Sequence, residues 1–251
     1  MKVKNILKIN NLKISSSENN LVLVDNATLD ISSGEIVLLE GANGSGKSTI
    51  LNAIMHNPNY KIEEGQIFIN DTDVTELEAH ELAKMGMYIS MQHSPEIEGV
   101  STIKMLYKAY KFVNQNKTEE DNLNNQEKNT KSIIGKKELS ITEFKKELEI
   151  KCELFALDTS LLMRDVNVGF SGGQKKQADL MHILALDPKF ILMDEPDSGV
   201  DREAVSKVYA VINHFKEKGA AILITSHNEK IKDLDISKIY KIQDRVVTQI
   251  N

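Results

Sequence analysis

Three short runs hold residues whose types and spacing suit phosphate chemistry. Residues 41 to 49 read Gly-Ala-Asn-Gly-Ser-Gly-Lys-Ser-Thr, the pattern G-x-x-x-x-G-K-[ST]. Glycines let such a loop curl until successive backbone N–H groups point inward at phosphate oxygens. The candidate cradle is Gly41, Asn43, Gly44, Ser45, Gly46, Lys47, Ser48 and Thr49. A helix opening at Lys47 adds the partial positive charge of its N-terminus. The Lys47 ammonium would reach the β- and γ-phosphates, and the Ser48 hydroxyl would ligate Mg²⁺.

The second run is Phe190-Ile191-Leu192-Met193 followed by Asp194-Glu195-Pro196. Apolar residues leading straight into carboxylates put the acids at the carboxyl end of a buried strand, where open α/β sheets bind ligands. Asp194 would hold Mg²⁺, directly or through water, and Glu195 would polarise an attacking water as general base. The third run is Gly169-Phe170-Ser171-Gly172-Gly173-Gln174. Ser171 is a good N-cap, and Gly172 and Gly173 leave the next N–H groups unobstructed, which makes a second anion-binding helix start. Two such starts in one chain suggest a γ-phosphate gripped from both sides.

The elements that must carry these runs follow from hydrophobic patterning. Ile36–Leu39 is a continuous apolar run bounded by glycine turns, as in a fully buried strand, and residues 47 to 56 read as helix. The interleaved residues of Met1–Asn11, then Leu21–Val24, Ala27–Ile31 and Gly65–Ile69, predict strands. Glu76–Lys84 predicts a short helix. Residues from Ile103 to Leu157 are helix-forming but broken by the polar stretch 114–131, which is expected to be an exposed loop or disordered insertion. Beyond residue 165 come a helix over Gly172–Leu186, a strand at Phe190–Met193, a helix over Arg202–Lys218 and a strand at Ala221–Thr225. Lys238–Ile242 and Val246–Ile250 close the chain as a pair of strands. The expected fold class is α/β, a mostly parallel sheet core with antiparallel N-terminal strands and an inserted helical subdomain. Residues 1–92 and 183–251 would form the core, and 93–182 the insertion.

Composition narrows the setting. The 251 residues are 41% hydrophobic and 27% charged, with a net charge of −6. A net negative charge argues against a broad nucleic-acid or anionic-lipid surface. No run approaches the roughly 20 apolar residues of a spanning helix, so no direct membrane insertion is expected. Cys152 is the single cysteine, which excludes an internal disulfide and a four-cysteine cluster site within the chain. A cytoplasmic location is expected.

The Phe170–Gln174 run resembles the LSGGQ signature of ABC ATPases, with Phe170 in the leucine position. Gln92, after Met87-Tyr88-Ile89, is similar to the family's Q-loop glutamine, which contacts Mg²⁺ and the attacking water. His227, after Ala221–Thr225, is similar to the switch histidine that senses the γ-phosphate, and Asp201 fits the D-loop that crosses the dimer interface. The resemblance implies an ABC ATPase fold of the P-loop NTPase type, ATP and Mg²⁺ as ligands, and hydrolysis to ADP and phosphate. It also implies a second copy of the chain in an ATP-sandwich dimer, to which Ser171, Gly172, Gly173 and Gln174 would be offered.

Four segments resemble the SufC ATPases of Suf iron–sulfur cluster assembly: 57–67, Gln92 to Ser101, Arg164 to Phe170, and Asp197 to Asp201. That resemblance implies SufB- and SufD-like scaffold proteins as partners, remodelled by ATP-driven closure, with the cluster carried by the scaffold. The alternative is the ATPase subunit of an ABC transporter. Gln174 and Pro196 depart from the SufC pattern and match ABC proteins at large. No aromatic occupies Lys13–Glu18, where many transporter ATPases stack adenine.

Overall fold

The computed structural model describes residues 5–91, 94–126, 139–226, 231 and 233–251. They form two compact units, one of Met1–Ser94 with Pro188–Asn251 and one of Pro95–Asp187. The second boundary falls beyond the helix that ends at Leu186; a cut at residue 182, as patterning suggested, would split that helix.

The first unit begins with β1 (Ile6–Ser16), β2 (Val22–Ser32) and β3 (Ile36–Glu40), then α1 (Lys47–Ile54), β4 (Tyr60–Ile69), β5 (Thr72–Asp73), α2 (Ala79–Lys84) and β6 (Met87–Ser90). Buried and exposed positions alternate along stretches of β1 and β2, as in strands with one face on a core. The two short strands expected at Leu21–Val24 and Ala27–Ile31 are one, because register shifts between Ile9 and Ser15 keep β1 paired along the length of β2.

The second unit follows with β7 (Ile97–Ser101), α3 (Thr102–Gln126), α4 (Ile141–Glu153), a 3-10 turn at Thr159–Met163, β8 (Asp165–Val166) and α5 (Gly172–Leu186). Phe144 of α4 lies between Tyr107 and Tyr110 of α3, with ring centroids 5.5 and 4.9 Å away. A capping box starts α4, where the Ser140 side chain accepts from Glu143 N–H and Glu143 accepts from Ser140 N–H. Helix α3 continues through 114–126, where composition suggested a loop. Its buried Ile103 and Leu106 anchor the first turns, and once a helix has begun each further residue adds a hydrogen bond without a new nucleation cost, even through an Asn-rich stretch. The remainder of the polar stretch, 127–131, lies outside the described residues.

The chain then re-enters the first unit as β9 (Phe190–Asp194), α6 (Arg202–Lys218), β10 (Ala221–Thr225), β11 (Lys238–Gln243) and β12 (Val246–Gln249). Ten strands join in the order β5-β4-β1-β2-β12-β11-β3-β10-β9-β6. Strands β11, β3, β10, β9 and β6 are mutually parallel, and β1, β2, β4 and β5 are antiparallel. The parallel centre consists of the near-continuous apolar runs, buried along their length as such strands require. Full burial of each Leu, Ile or Val here contributes about 1.5–3 kcal/mol. Among the described residues, no helix is long and apolar enough to cross a membrane.

Candidate active site

Register sets the site. Thr225, the last residue of β10, is level with Leu39 of β3 on one side and Asp194 of β9 on the other. Ser90, the last residue of β6, is level with Met193. The glycine-rich loop and the acidic run therefore leave the sheet from one carboxyl edge, within the first unit.

Gly46 closes the loop and caps α1 with φ of 111°, a conformation that glycine adopts without strain. A Cβ there would stand 3.0 Å from Val24 Cγ2 and 3.2 Å from Ile242 Cδ1, so β2 and β11 wall the loop tightly. No side chain caps α1, and its first turn carries no acid. Among the described residues, the buried Ser45 Oγ has no hydrogen-bond partner. A cradle of donors without side-chain acceptors fits a polyphosphate.

Lys47 is only 5% exposed. Its ammonium donates to Gly41 O at 2.9 Å and Ala42 O at 3.1 Å, closing the loop on itself. Burial lowers its pKa below the ordinary lysine value, and the charges of Glu195 and Asp194 act in the opposite sense. Those three groups are thus near enough to share one electrostatic environment.

Asp194 is buried and accepts a 2.7 Å hydrogen bond from Thr225 Oγ1. The next residue, Glu195, has φ of 47°, in the left-handed region. That conformation costs a non-glycine residue about 1–3 kcal/mol and persists where surrounding bonds hold it. The holders are visible. Glu195 N–H donates to Thr225 O at 3.1 Å and Oγ1 at 3.0 Å, while Glu195 O accepts from Ser198 N–H at 3.2 Å and Ser198 Oγ at 3.1 Å.

The second unit carries the Ser171 helix start. Ser171 Oγ accepts from Gln174 N–H at 3.3 Å, and Gln174 Oε1 accepts from Ser171 N–H at 3.0 Å, a complete capping box on α5. Glutamine fills this position as glutamate would, since only an acceptor oxygen is needed. Ser171 and Gly172 are exposed. The Arg164 guanidinium stacks 4.5 Å from the Phe170 ring centroid and donates to Val168 O at 3.1 Å. Glu96 accepts from Lys175 at 2.8 Å and from Gly169 N–H at 3.4 Å. Two of the four segments that carry the SufC resemblance meet here, through residues 95–101 and 164–170. Strand β7 pairs with β8, Gly99 N–H donates to Asp165, and Asn167 donates to Pro95 O.

Of the site residues expected from sequence, Lys47, Asp194 and Glu195 lie together in the first unit, with Ser48 next to Lys47 on α1. Gln92 and His227 lie outside the described residues; they follow the ends of β6 and β10 by two residues each. Sequence reasoning passed over Thr225, which bonds to both acidic positions. The only available signal was a hydroxyl closing an otherwise apolar strand beside the acids.

The family described as ABC transporter matches residues 24–198. A probable ABC transporter ATP-binding protein of Streptococcus pyogenes serotype M18 is 34% identical over 90% of this chain and 80% of its own length. The probable ATP-dependent transporter ycf16 of Cyanidium caldarium is 32% identical over 98% of this chain and 87% of its own. Among solved structures, the dimeric MJ0796, a bacterial ABC transporter cassette, shares the fold with a TM-score of 0.75 at 21% identity, covering 98% of this chain and 99% of that one. The cradle, the acidic strand end and the capped Ser171 helix lie on a chain that belongs to the ABC transporter ATPase family, and it is an ATP-binding ABC ATPase.

Proposed function

We propose that two copies of this chain close around two MgATP molecules and that this closure drives the membrane-spanning subunits of a transporter. The observation that carries the first half is the common carboxyl edge at which Lys47, Asp194 and Glu195 share one environment. The second half is supported by the relatives named as transporter ATP-binding proteins.

In this reading the loop N–H groups and Lys47 bind the β- and γ-phosphates, and the ammonium leaves the carbonyls of Gly41 and Ala42 to do so. Ser48, Asp194 and Gln92 would hold Mg²⁺, which would supply neutralisation of the phosphate charge. Glu195 takes a proton from the water that attacks the γ-phosphorus, and His227 senses that phosphate. ADP departs as the bond to its β-phosphate oxygen breaks. Ser171, Gly173 and the first N–H groups of α5 contact the γ-phosphate held by the other copy. Only a differential affinity of ATP for closed over open dimers transmits work. The solved MJ0796 cassette is itself dimeric, which supports the arrangement.

A second reading, remodelling of a soluble SufB/SufD-like scaffold, is favoured by one observation: residues 95–101 and 164–170, from two of the segments that resemble SufC, join into one surface feature. Affinity purification of the native protein, from membranes in mild detergent and from the soluble fraction, separates the two. Stoichiometric recovery of a polytopic membrane protein supports transport. Recovery of a soluble cysteine-bearing scaffold instead would replace it with the second reading.

A further inference from the structure

The loop that enters Ser171 has left-handed backbone at two places, Asn167 with φ of 59° and Gly169 with φ of 63°. Its turns are closed by Val168 N–H on Asp165 O at 3.3 Å and Phe170 N–H on Asn167 O at 3.2 Å. Two charged side chains add to these bonds.

The first is Arg164, whose own carbonyl accepts from Thr102 N–H and Oγ1, each at 3.0 Å. Its guanidinium lies 4.5 Å from the Phe170 ring centroid and donates to Val168 O at 3.1 Å and Gly169 O at 3.5 Å. Phe170 is 6% exposed, so the cation stacks on a ring already held in the core. The second is Glu96. One of its oxygens accepts from Lys175 Nζ at 2.8 Å and the other from Gly169 N–H at 3.4 Å. Those bonds, the lysine's first, hold the Glu96 carboxyl below the ordinary glutamate range, so it stays ionised. A single carboxylate thus joins the residue two before Ser171 to the residue four after it. Lys175 belongs to the first turn of α5, where its N–H donates to Ser171 O at 2.9 Å.

The Glu96 and Lys175 side chains are 50% and 32% exposed, and an ion pair so exposed contributes little to stability. What the clasp fixes is direction. We propose that Arg164 and Glu96 are positioning residues for the second grip on ATP: by holding Gly169, Phe170 and Lys175 they set how Ser171 and the first N–H groups of α5 are presented to the γ-phosphate of the other copy. This rests on the sandwich reading given above. The clasp and Ser171 lie in the second unit and the Lys47 cradle in the first, so substitutions can separate the two halves of ATP binding.

The test uses the full-length chain carrying Glu195→Gln as parent, with Arg164→Ala, Glu96→Ala or Glu96→Gln added, each checked by thermal melting. Three quantities are read: the dimer dissociation constant in saturating MgATP by sedimentation, the MgATP affinity of the single chain by calorimetry, and hydrogen exchange of amides 169–174 without nucleotide. Arg164→Ala and Glu96→Ala are expected to weaken the dimer about tenfold or more, to leave single-chain affinity within about twofold, and to speed the exchange. Glu96→Gln, which keeps an acceptor oxygen, falls between Glu96→Ala and the parent. A dimer constant within about twofold of the parent in Arg164→Ala overturns the proposal. An equal loss of single-chain affinity also overturns it, since that marks general damage. If Arg164→Ala does not fold, Glu96→Ala, at a half-exposed side chain, is held to the same two criteria. A parent chain that stays single in MgATP, while Arg164→Ala still speeds the exchange, shows instead that the sandwich reading has failed.

Discussion

Thr225 Oγ1 donates to Asp194 Oδ1 at 2.7 Å, across strands in register at the carboxyl edge of the sheet. The same hydroxyl accepts from Glu195 N–H at 3.0 Å. One threonine thereby fixes the orientation of one carboxylate and the strained backbone of the next. The two acids expected to serve the metal and the water are positioned from a neighbouring strand.

Replacing Thr225 by valine keeps the shape and removes both bonds. The loss should be about 1–3 kcal/mol in unfolding free energy, read from urea titration, because a buried carboxylate loses its donor. Half-maximal turnover should also require more Mg²⁺, since Asp194 is no longer held. An unchanged Mg²⁺ dependence would argue that Asp194 orients itself.

Lys47 makes nucleotide affinity sensitive to alkaline pH. Burial has lowered its pKa, so it begins to lose its proton below the ordinary lysine range near 10.4. In the proposed function phosphate binds the ammonium, so affinity should fall as pH rises through the depressed value, with proton uptake on binding. Calorimetry between about pH 8 and about pH 10 should show weakening in wild type and none in Lys47→Ala. The variant should bind MgATP roughly 10–100-fold more weakly at neutral pH.

The Ser171–Gln174 box predicts that glutamate is accepted at 174. Gln174→Glu should melt at or above the wild-type temperature, because a carboxylate at a helix N-terminus adds about 0.3–1 kcal/mol. Ser171→Ala should cost about 0.5–2 kcal/mol of stability as the cap is lost. A Gln174→Glu protein less stable than Ser171→Ala would contradict the capping account.

Base selectivity should be weak. The loop proposed to bind phosphate reads no base, and Lys13–Glu18 carries no aromatic to stack on one. Stacking is worth about 1–3 kcal/mol per base where it exists. GTP should compete with ATP with an inhibition constant within about tenfold of the ATP KM. Discrimination above about a hundredfold would mean that other groups hold the base.

The spans of α5, α6 and β10 were legible in the sequence to the residue, and β9 to within one, because apolar runs there meet sharp signals. Ser171 and Asp201 cap the helices, Asp187-Pro188 ends one, and Gly219 ends the other. Strands β7 and β8 were not legible: β7 is largely exposed and neither alternates nor forms an apolar run. The glycine-rich loop and the acid pair read directly, since the pattern is local. Thr225 did not, because its meaning lies in the register of β9 and β10, which appears only once the strands are side by side.

The central claim is that ATP is held between two copies of this chain. Its most direct test is the mass in solution of the Glu195→Gln chain, by sedimentation or light scattering, with and without saturating MgATP. The account predicts the mass of two chains with two bound nucleotides when MgATP is present, and a return to one chain when Ser171→Arg is added to block the second grip. A chain that binds MgATP yet keeps the mass of a single copy would contradict it.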